Sequence, residues 1–264
     1  MCRETFPYGK VLANISHQGG HLMGAKRKAA EKRNSKKGYD NVVDIKPFQK
    51  PNKQVNILPR NRNQETYVLK LLDESKSIVF GIGPAGTGKT LLAVQVAVKM
   101  FKEGKVDKII VTRPAVSVDE DLGFLPGTLE EKMAPWTRPI FDVLKEYFNA
   151  AEITGMIAEG IIEISPLAYM RGRTFKQSFI LADEMQNATP NQMKMLLTRL
   201  GEGSRMAVTG DLAQADRLTD NGLIEFTNLL QSKHTAHLDI VQFEQGDIER
   251  HDAVKEILQI YGDE

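Results

Sequence analysis

Gly83-Pro-Ala-Gly-Thr-Gly-Lys89-Thr90 gathers three glycines, a lysine and two hydroxyls into eight residues. That set suits a polyphosphate. Gly83, Pro84, Ala85, Gly86, Thr87 and Gly88 supply a tight turn whose backbone N–H groups point inward at anionic oxygens. The apolar run Ser77–Ile82 enters the loop and Leu91–Val98 leaves it, so a strand feeds the turn and a helix N-terminus completes it. In that setting Lys89 would reach the β- and γ-phosphates and the Thr90 hydroxyl would ligate Mg²⁺. The loop implies a bound nucleoside triphosphate.

Hydrolysis needs a second, acidic element. Phe179-Ile-Leu-Ala-Asp183-Glu184 is an apolar strand ending in two carboxylates, at the sheet edge where open α/β folds place ligands. Asp183 would hold Mg²⁺ there, directly or through water, and Glu184 would orient or deprotonate an attacking water. A third run, Met206–Thr209, leads into Gly210-Asp211-Leu-Ala-Gln214, and the Gln214 amide can both donate to a phosphate oxygen and accept from water. Upstream, Asn63-Gln64 opens a helical pattern, where the Gln64 amide either reads an adenine edge or lies on the surface behind a capping Asn63. A guanidinium would stabilise charge building on a transferred phosphoryl group. The candidates are Arg113, Arg171, Arg173, Arg199 and Arg250, each equally suited to an ordinary salt bridge.

The elements that must position these groups alternate. Strands are predicted at 78–82, 108–112, 161–164, 178–182, 206–209 and 238–243. Helices are predicted at 64–73, 89–102, 138–149, 190–200, 221–231 and 247–261. Thr189-Pro190 reads as an N-cap followed by proline at the first helical position, and Val254, Ile257, Leu258 and Tyr261 share one helical face. Alternation of this kind predicts one α/β domain over 57–264, a parallel sheet with helices on both faces. Residues 1–56 lack sustained periodicity and are expected to form a basic, largely disordered extension.

A net charge of +1 hides an asymmetry. Residues 1–63 carry 14 Lys/Arg against 4 Asp/Glu, a net +10, and the remainder 21 against 30, a net −9. The basic segment suits nucleic-acid backbones or simple solvation equally. No apolar run approaches the ~18 residues that span a bilayer, and no secretory leader is visible. The single cysteine, Cys2, forms no disulfide within the chain; the expectation is a cytoplasmic protein without membrane contact. His17, His21 and Cys2 are too scattered for a zinc site. Trp136 reads as core or loop packing, with base stacking physically open to it.

Further stretches occur with these motifs: Thr112-Arg-Pro-Ala-Val116, Leu122-Gly-Phe-Leu-Pro-Gly127, Pro166-Leu-Ala-Tyr-Met-Arg-Gly-Arg-Thr174, Asp183-Glu-Met-Gln-Asn187, Gln192-Met-Lys-Met195, Leu197-Thr-Arg-Leu-Gly201 and Arg250-His251. Together they resemble the PhoH family, phosphate-starvation-associated P-loop ATPases of bacteria and bacteriophages, over about residues 58–262. The resemblance implies a RecA-like core similar to the first motor domain of superfamily 1 helicases. It also implies ATP and Mg²⁺ as ligands, ATPase activity and RNA unwinding. By the same resemblance Gln64, Lys89, Thr90, Asp183, Glu184 and Gln214 hold the roles above, and Arg250 faces a phosphate. Such helicases work ATP between two RecA-like domains, so a homo-oligomer, such as a hexameric ring, with ATP at its interface is expected, acting on RNA or single-stranded nucleic acid. The alternative is a nucleotide-dependent switch that binds a protein partner without unwinding. The extension lacks clustered carboxylates, so no nuclease activity is expected.

Overall fold

A computed structural model describes residues 54–114, 129–215, 220–250 and 252–261, with backbone alone over 129–135 and at 252, 255, 258, 259 and 261. Leu122–Gly127, Ser117–Asp121, His251, Cys2, His17, His21 and the basic extension up to residue 53 lie outside the described residues.

Six short apolar segments form one parallel sheet: β1 (Ile78–Ile82), β2 (Lys108–Thr112), β3 (Ile162–Ile164), β4 (Ser178–Ala182), β5 (Arg205–Gly210) and β6 (Leu238–Gln242), in the order β3-β2-β4-β5-β1-β6. All five residues of β1 and of β4 are buried, as expected of central strands covered on both faces. Successive side chains alternate between two cores. Val79, Ile109, Val111, Phe179, Leu181 and Ala207 pack on one side with α1 (Arg62–Leu72), α2 (Lys89–Lys102), α3 (Leu129–Lys145) and α4 (Ala150–Ala158). Ile78, Phe80, Ile82, Ile110, Ile180 and Val208 pack on the other with α5 (Pro190–Leu197) and α6 (Gly222–Gln231). Each such large side chain removed from water contributes about 2 kcal/mol. The predicted α/β fold with a parallel sheet covered on both faces is the fold observed. The last helix, α7, spans Asp252–Tyr261.

Strand positions agree with the sequence reading to within a residue, while several helices do not. The helix expected over 138–149 starts at Leu129 and runs through Pro135 and Pro139 to Lys145. Proline inside a helix normally costs about 3 kcal/mol, which is why the pattern reads as a break. Here Pro139 faces solvent while Thr137, Ile140 and Leu144 stay buried, so the lost bond lies on the outer side and packing holds the helix. α4 is a helix that apolar periodicity did not single out. Its signal is local: Asn149 and Glu152 form a reciprocal capping box, worth about 1 kcal/mol. The final helix begins at Asp252, not 247, because Gln245–Asp247 form a separate one-turn helix. Val55, inside the extension expected over 1–56, is 7% exposed and packs in the core.

Gly81 lies mid-strand in β1, where glycine weakens a sheet. A Cβ there would sit 2.8 Å from Cζ of Tyr67, so the strand leaves out a side chain to seat the α1 ring. Tyr67 is fully buried, meets Phe243 edge-on at 5.6 Å, and its hydroxyl has no hydrogen-bond partner. Burial, and secondarily the Asp183 charge, push this phenol well above the usual tyrosine range, so it stays neutral. A buried unsatisfied hydroxyl costs about 1–3 kcal/mol. Tyr67→Phe is therefore expected to stabilise the domain by about 1 kcal/mol in urea unfolding; a loss of stability would show that the hydroxyl has a partner.

Candidate functional site

The phosphate loop folds as its residue types demand. Gly83 has φ +149°, and a Cβ on it would fall into the Phe243 carbonyl; Gly88, at φ +80°, is the left-handed residue that starts α2. Register then brings the other elements level with it. β5 pairs with both β1 and β4, so the ends of all three strands open into one pocket of about 250 Å³. Its walls include Lys89, Thr90, Asp183, Glu184, Asp211 and Gln214. Residues predicted from three separate motifs thus share one cavity.

Asp183 joins two of those motifs. Its Oδ1 accepts from the Thr90 hydroxyl at 2.8 Å and also from the Thr209 hydroxyl. A hydroxyl and a carboxylate side by side are hard oxygen donors, the type Mg²⁺ takes. Among the described residues no group of three His, Cys, Asp or Glu side chains could hold a metal. That sparse set still fits Mg²⁺, which keeps most of its positions for phosphate and water. Lys89, 8% exposed, donates to the Gly83 and Pro84 carbonyls at 2.7 and 2.6 Å and to the Thr87 hydroxyl at 3.2 Å. Burial holds its ammonium below the usual lysine range, opposed by the charges of Asp211, Glu184 and Asp183.

Glu184 stands in the left-handed region at φ 54°, ψ 38°, a conformation costing a non-glycine residue about 1–3 kcal/mol. The turn aims its carboxylate into the pocket instead of along β4. Gln186, 1% exposed, holds it there. The Gln186 amide nitrogen donates to Glu184, its oxygen accepts from Asp211 N–H at 3.1 Å, and its carbonyl accepts from Asn221 at 2.7 Å. Asp211 in turn accepts from the Ala85 N–H of the phosphate loop at 3.0 Å. Neither Gln186 nor Asp211 was assigned a role from sequence. The signal for each is an acceptor-bearing residue shortly past a buried strand end, four places past β4 for Gln186 and one past β5 for Asp211, which is indistinguishable from a turn until the strands are aligned.

Gln64 and Arg250 approach the loop from its other side. Gln64 is not at the helix start, since Asn61 caps α1 and accepts from Gln64 N–H at 2.9 Å. The Gln64 amide is 4% exposed; it donates to the Thr87 carbonyl at 3.1 Å and accepts from Arg60 N–H at 2.8 Å. The nitrogen end braces the loop and the oxygen end holds the chain entering α1. Arg250 crosses Gly86, its Nε 3.3 Å from where a Cβ would be, and the neighbouring Glu249 N–H donates to the Gly86 carbonyl at 3.1 Å. Arg171 and Arg173 are not brought to the pocket: they follow β3 at the far edge of the sheet, where Arg173 pairs with Glu163 at 2.8 Å.

Asp247, which sequence reasoning also passed over, fastens this side. Its Oδ2 accepts from Asn63 Nδ2 at 2.7 Å and from Glu244 N–H at 2.8 Å, and its carbonyl accepts from Asn61 at 3.3 Å. Three segments, the start of α1, the turn after β6 and the approach to Arg250, hang on one buried side chain. Asp247→Ala leaves two donors without their acceptor and is expected to cost about 2–4 kcal/mol in chemical denaturation. Nucleotide affinity should fall with it in a binding titration, because Glu249 and Arg250 lose their seat over Gly86.

The family profile described as "PhoH-like protein" matches residues 56–262. A PhoH-like protein of Bacillus subtilis (strain 168) is 46% identical over 204 residues, covering 76% of this chain and 63% of the relative. A PhoH-like protein of Mycobacterium tuberculosis (strain H37Rv) is 46% identical over 207 residues, covering 78% and 58%. The chain thus spans about three fifths of the length of these curated relatives. Among solved structures, the UvsW helicase from bacteriophage T4 aligns with TM-score 0.45 at 13% identity, covering 72% of this chain and 62% of that one. The Pif1 helicase from Candida albicans aligns with TM-score 0.36 at 14% identity, covering 77% and 44%. Likeness at that level says nothing about activity. Strand–loop–helix geometry, the Thr90–Asp183 contact and the profile match agree, and the chain belongs to the PhoH-like family of P-loop NTPases.

Proposed function

We propose that this domain binds ATP with Mg²⁺, hydrolyses it, and couples turnover to binding and remodelling of RNA. The observation that carries the reading is the meeting of Thr90, Asp183 and Glu184 in one pocket, with the first two in contact at 2.8 Å. Loop N–H groups and Lys89 bind the phosphates, Lys89 exchanging its loop carbonyls for phosphate oxygens. Thr90 and Asp183 would hold Mg²⁺, which would neutralise charge on the phosphates. Glu184, fixed by Gln186, takes the proton of the attacking water as its oxygen bonds to the γ-phosphorus; the bond to the leaving oxygen breaks, giving ADP and phosphate. Gln214, exposed on its one-turn helix (Leu212–Gln214), donates to a γ-phosphate oxygen and accepts from the water. This assignment gives Glu184 one role, proton acceptance, and Asp183 another.

Among the described residues no arginine lines the pocket, and Arg250 reaches only across Gly86. A second copy of the chain adding a cation to this pocket would fit a homo-oligomer with ATP at its interface. Sedimentation with nucleotide and RNA present should show oligomers, and monomers alone would refute that part.

Turnover with and without single-stranded RNA, at two salt concentrations, tests the main reading. Glu184→Gln should retain ATP binding and lose on the order of a hundredfold or more in turnover. RNA should stimulate the wild type, less at higher salt, because phosphate contacts release counterions. Normal turnover by Glu184→Gln would remove Glu184 from catalysis. Turnover indifferent to RNA would favour a nucleotide switch with a protein partner.

A further inference from the structure

A tyrosine stands out at the far end of the same sheet edge. Tyr169 is 64% exposed, although it belongs to a one-turn helix, Leu167–Met170, whose first and last residues are 1% and 0% exposed. The turn is anchored and holds Tyr169 outward. Ser165 N–H donates to the Val111 carbonyl at 2.9 Å and Leu167 N–H to the Arg113 carbonyl at 3.4 Å, extending β2–β3 pairing past the strand ends. Tyr169 N–H closes the turn on the Pro166 carbonyl at 2.9 Å. An apolar flat face is thus presented to solvent on rigid backbone, which keeps the entropy cost of using it low.

Arginines follow it in sequence and on the neighbouring segment. Arg171 is exposed two residues on, and no carboxylate pairs with it among the described residues. Gly172 beside it, at φ +78°, has nothing within 4 Å of a would-be Cβ, so the approach is open. Arg173 is neutralised by Glu163 and lies 4.6 Å over the Phe175 ring, and Arg199 Nη1 ties the Arg173 carbonyl at 3.0 Å. Those contacts stiffen the return segment and leave Arg171, among its described arginines, without a carboxylate partner. Arg113, at the end of β2, adds a second cation on the adjacent segment.

We propose that Tyr169 is a base-stacking platform for single-stranded nucleic acid, with Arg171 contacting the phosphate that flanks the stacked base. A flat aromatic face matches a base, and an unpaired guanidinium matches a phosphate. Duplex bases are already stacked, so the single strand is the form that fits. The position is apt as well. β3, which leads to Tyr169, lies two strands from β4, which leads to Glu184, about 10 Å at the usual strand spacing. A strand crossing this edge would pass beside the pocket. This inference rests on the nucleic-acid part of the proposed function and names where that contact is made.

The test uses the full chain and a fluorescein-labelled oligouridylate, read by anisotropy over a salt series. Tyr169→Ala should weaken binding on the order of tenfold with an unchanged salt slope, and Tyr169→Phe should bind as wild type. Arg171→Ala should reduce the slope by about one. Tyr169→Trp should show tryptophan quenching on oligonucleotide addition, a signature that a packing role would not give. Basal turnover without RNA should be unchanged in the Tyr169 variants, which shows that they fold. If wild type binds the oligonucleotide and Tyr169→Ala binds equally, the platform is refuted and the wider reading stands. If wild type hydrolyses ATP and binds no single strand, both fall.

Discussion

The Asp183 carboxylate is the point on which the site turns. One of its oxygens accepts from the hydroxyls of Thr90 at the start of α2 and Thr209 near the end of β5, while the residue itself directly follows β4. For those three elements to meet within hydrogen-bond distance, the residue after β4 must lie level with Thr209 of β5, which pairs with Gly81 just before β1 ends. Parallel pairing with no register slip is the only way to do that. A one-residue slip would turn every alternate side chain to the opposite core, so the apolar pattern that fills the two cores also fixes the geometry of the carboxylate. Packing and chemistry share one constraint.

What the sequence made legible follows from that. The phosphate loop, the acidic strand and the strand positions are local signals, written in contiguous residues whose spacing is set by covalent geometry. Lys89, Thr90, Asp183, Glu184 and Gln214 could therefore be placed on the same edge before any coordinates. Less legible were the groups that work at long sequence separation. Asp247 is joined to Asn63 across 184 residues and Gln186 to Asp211 across 25, so the contacts that give each its role lie far away in sequence. The helix through Pro135 and Pro139 was expected only from 138 because its prolines read as a break, while the core packing of Ile140 and Leu144 that holds it is tertiary. Gln64 was found, but its partners were not, because both lie on backbone.

Glu184 shows how such a site holds energy. Its left-handed backbone and the carboxylate cluster around it, with Asp183 and Asp211, are each unfavourable alone. Gln186 offsets both, since its amide joins Glu184 to the Asp211 backbone and draws no charge into the pocket. The side chain that matters for water is thus aimed by a neutral residue behind it.

Gly81 and Tyr67 carry a consequence for how this chain can change over time. The ring occupies the space a strand side chain would need, so the two positions form one packing unit split between a helix and the central strand. A larger residue at 81 has nowhere to go while the ring stays, and a smaller residue at 67 leaves a void beneath the phosphate loop. Either step alone leads downhill in fitness, and only a paired exchange keeps the volume constant. Descendants of this sequence are held to the same glycine and ring, or to a jump that passes both at once.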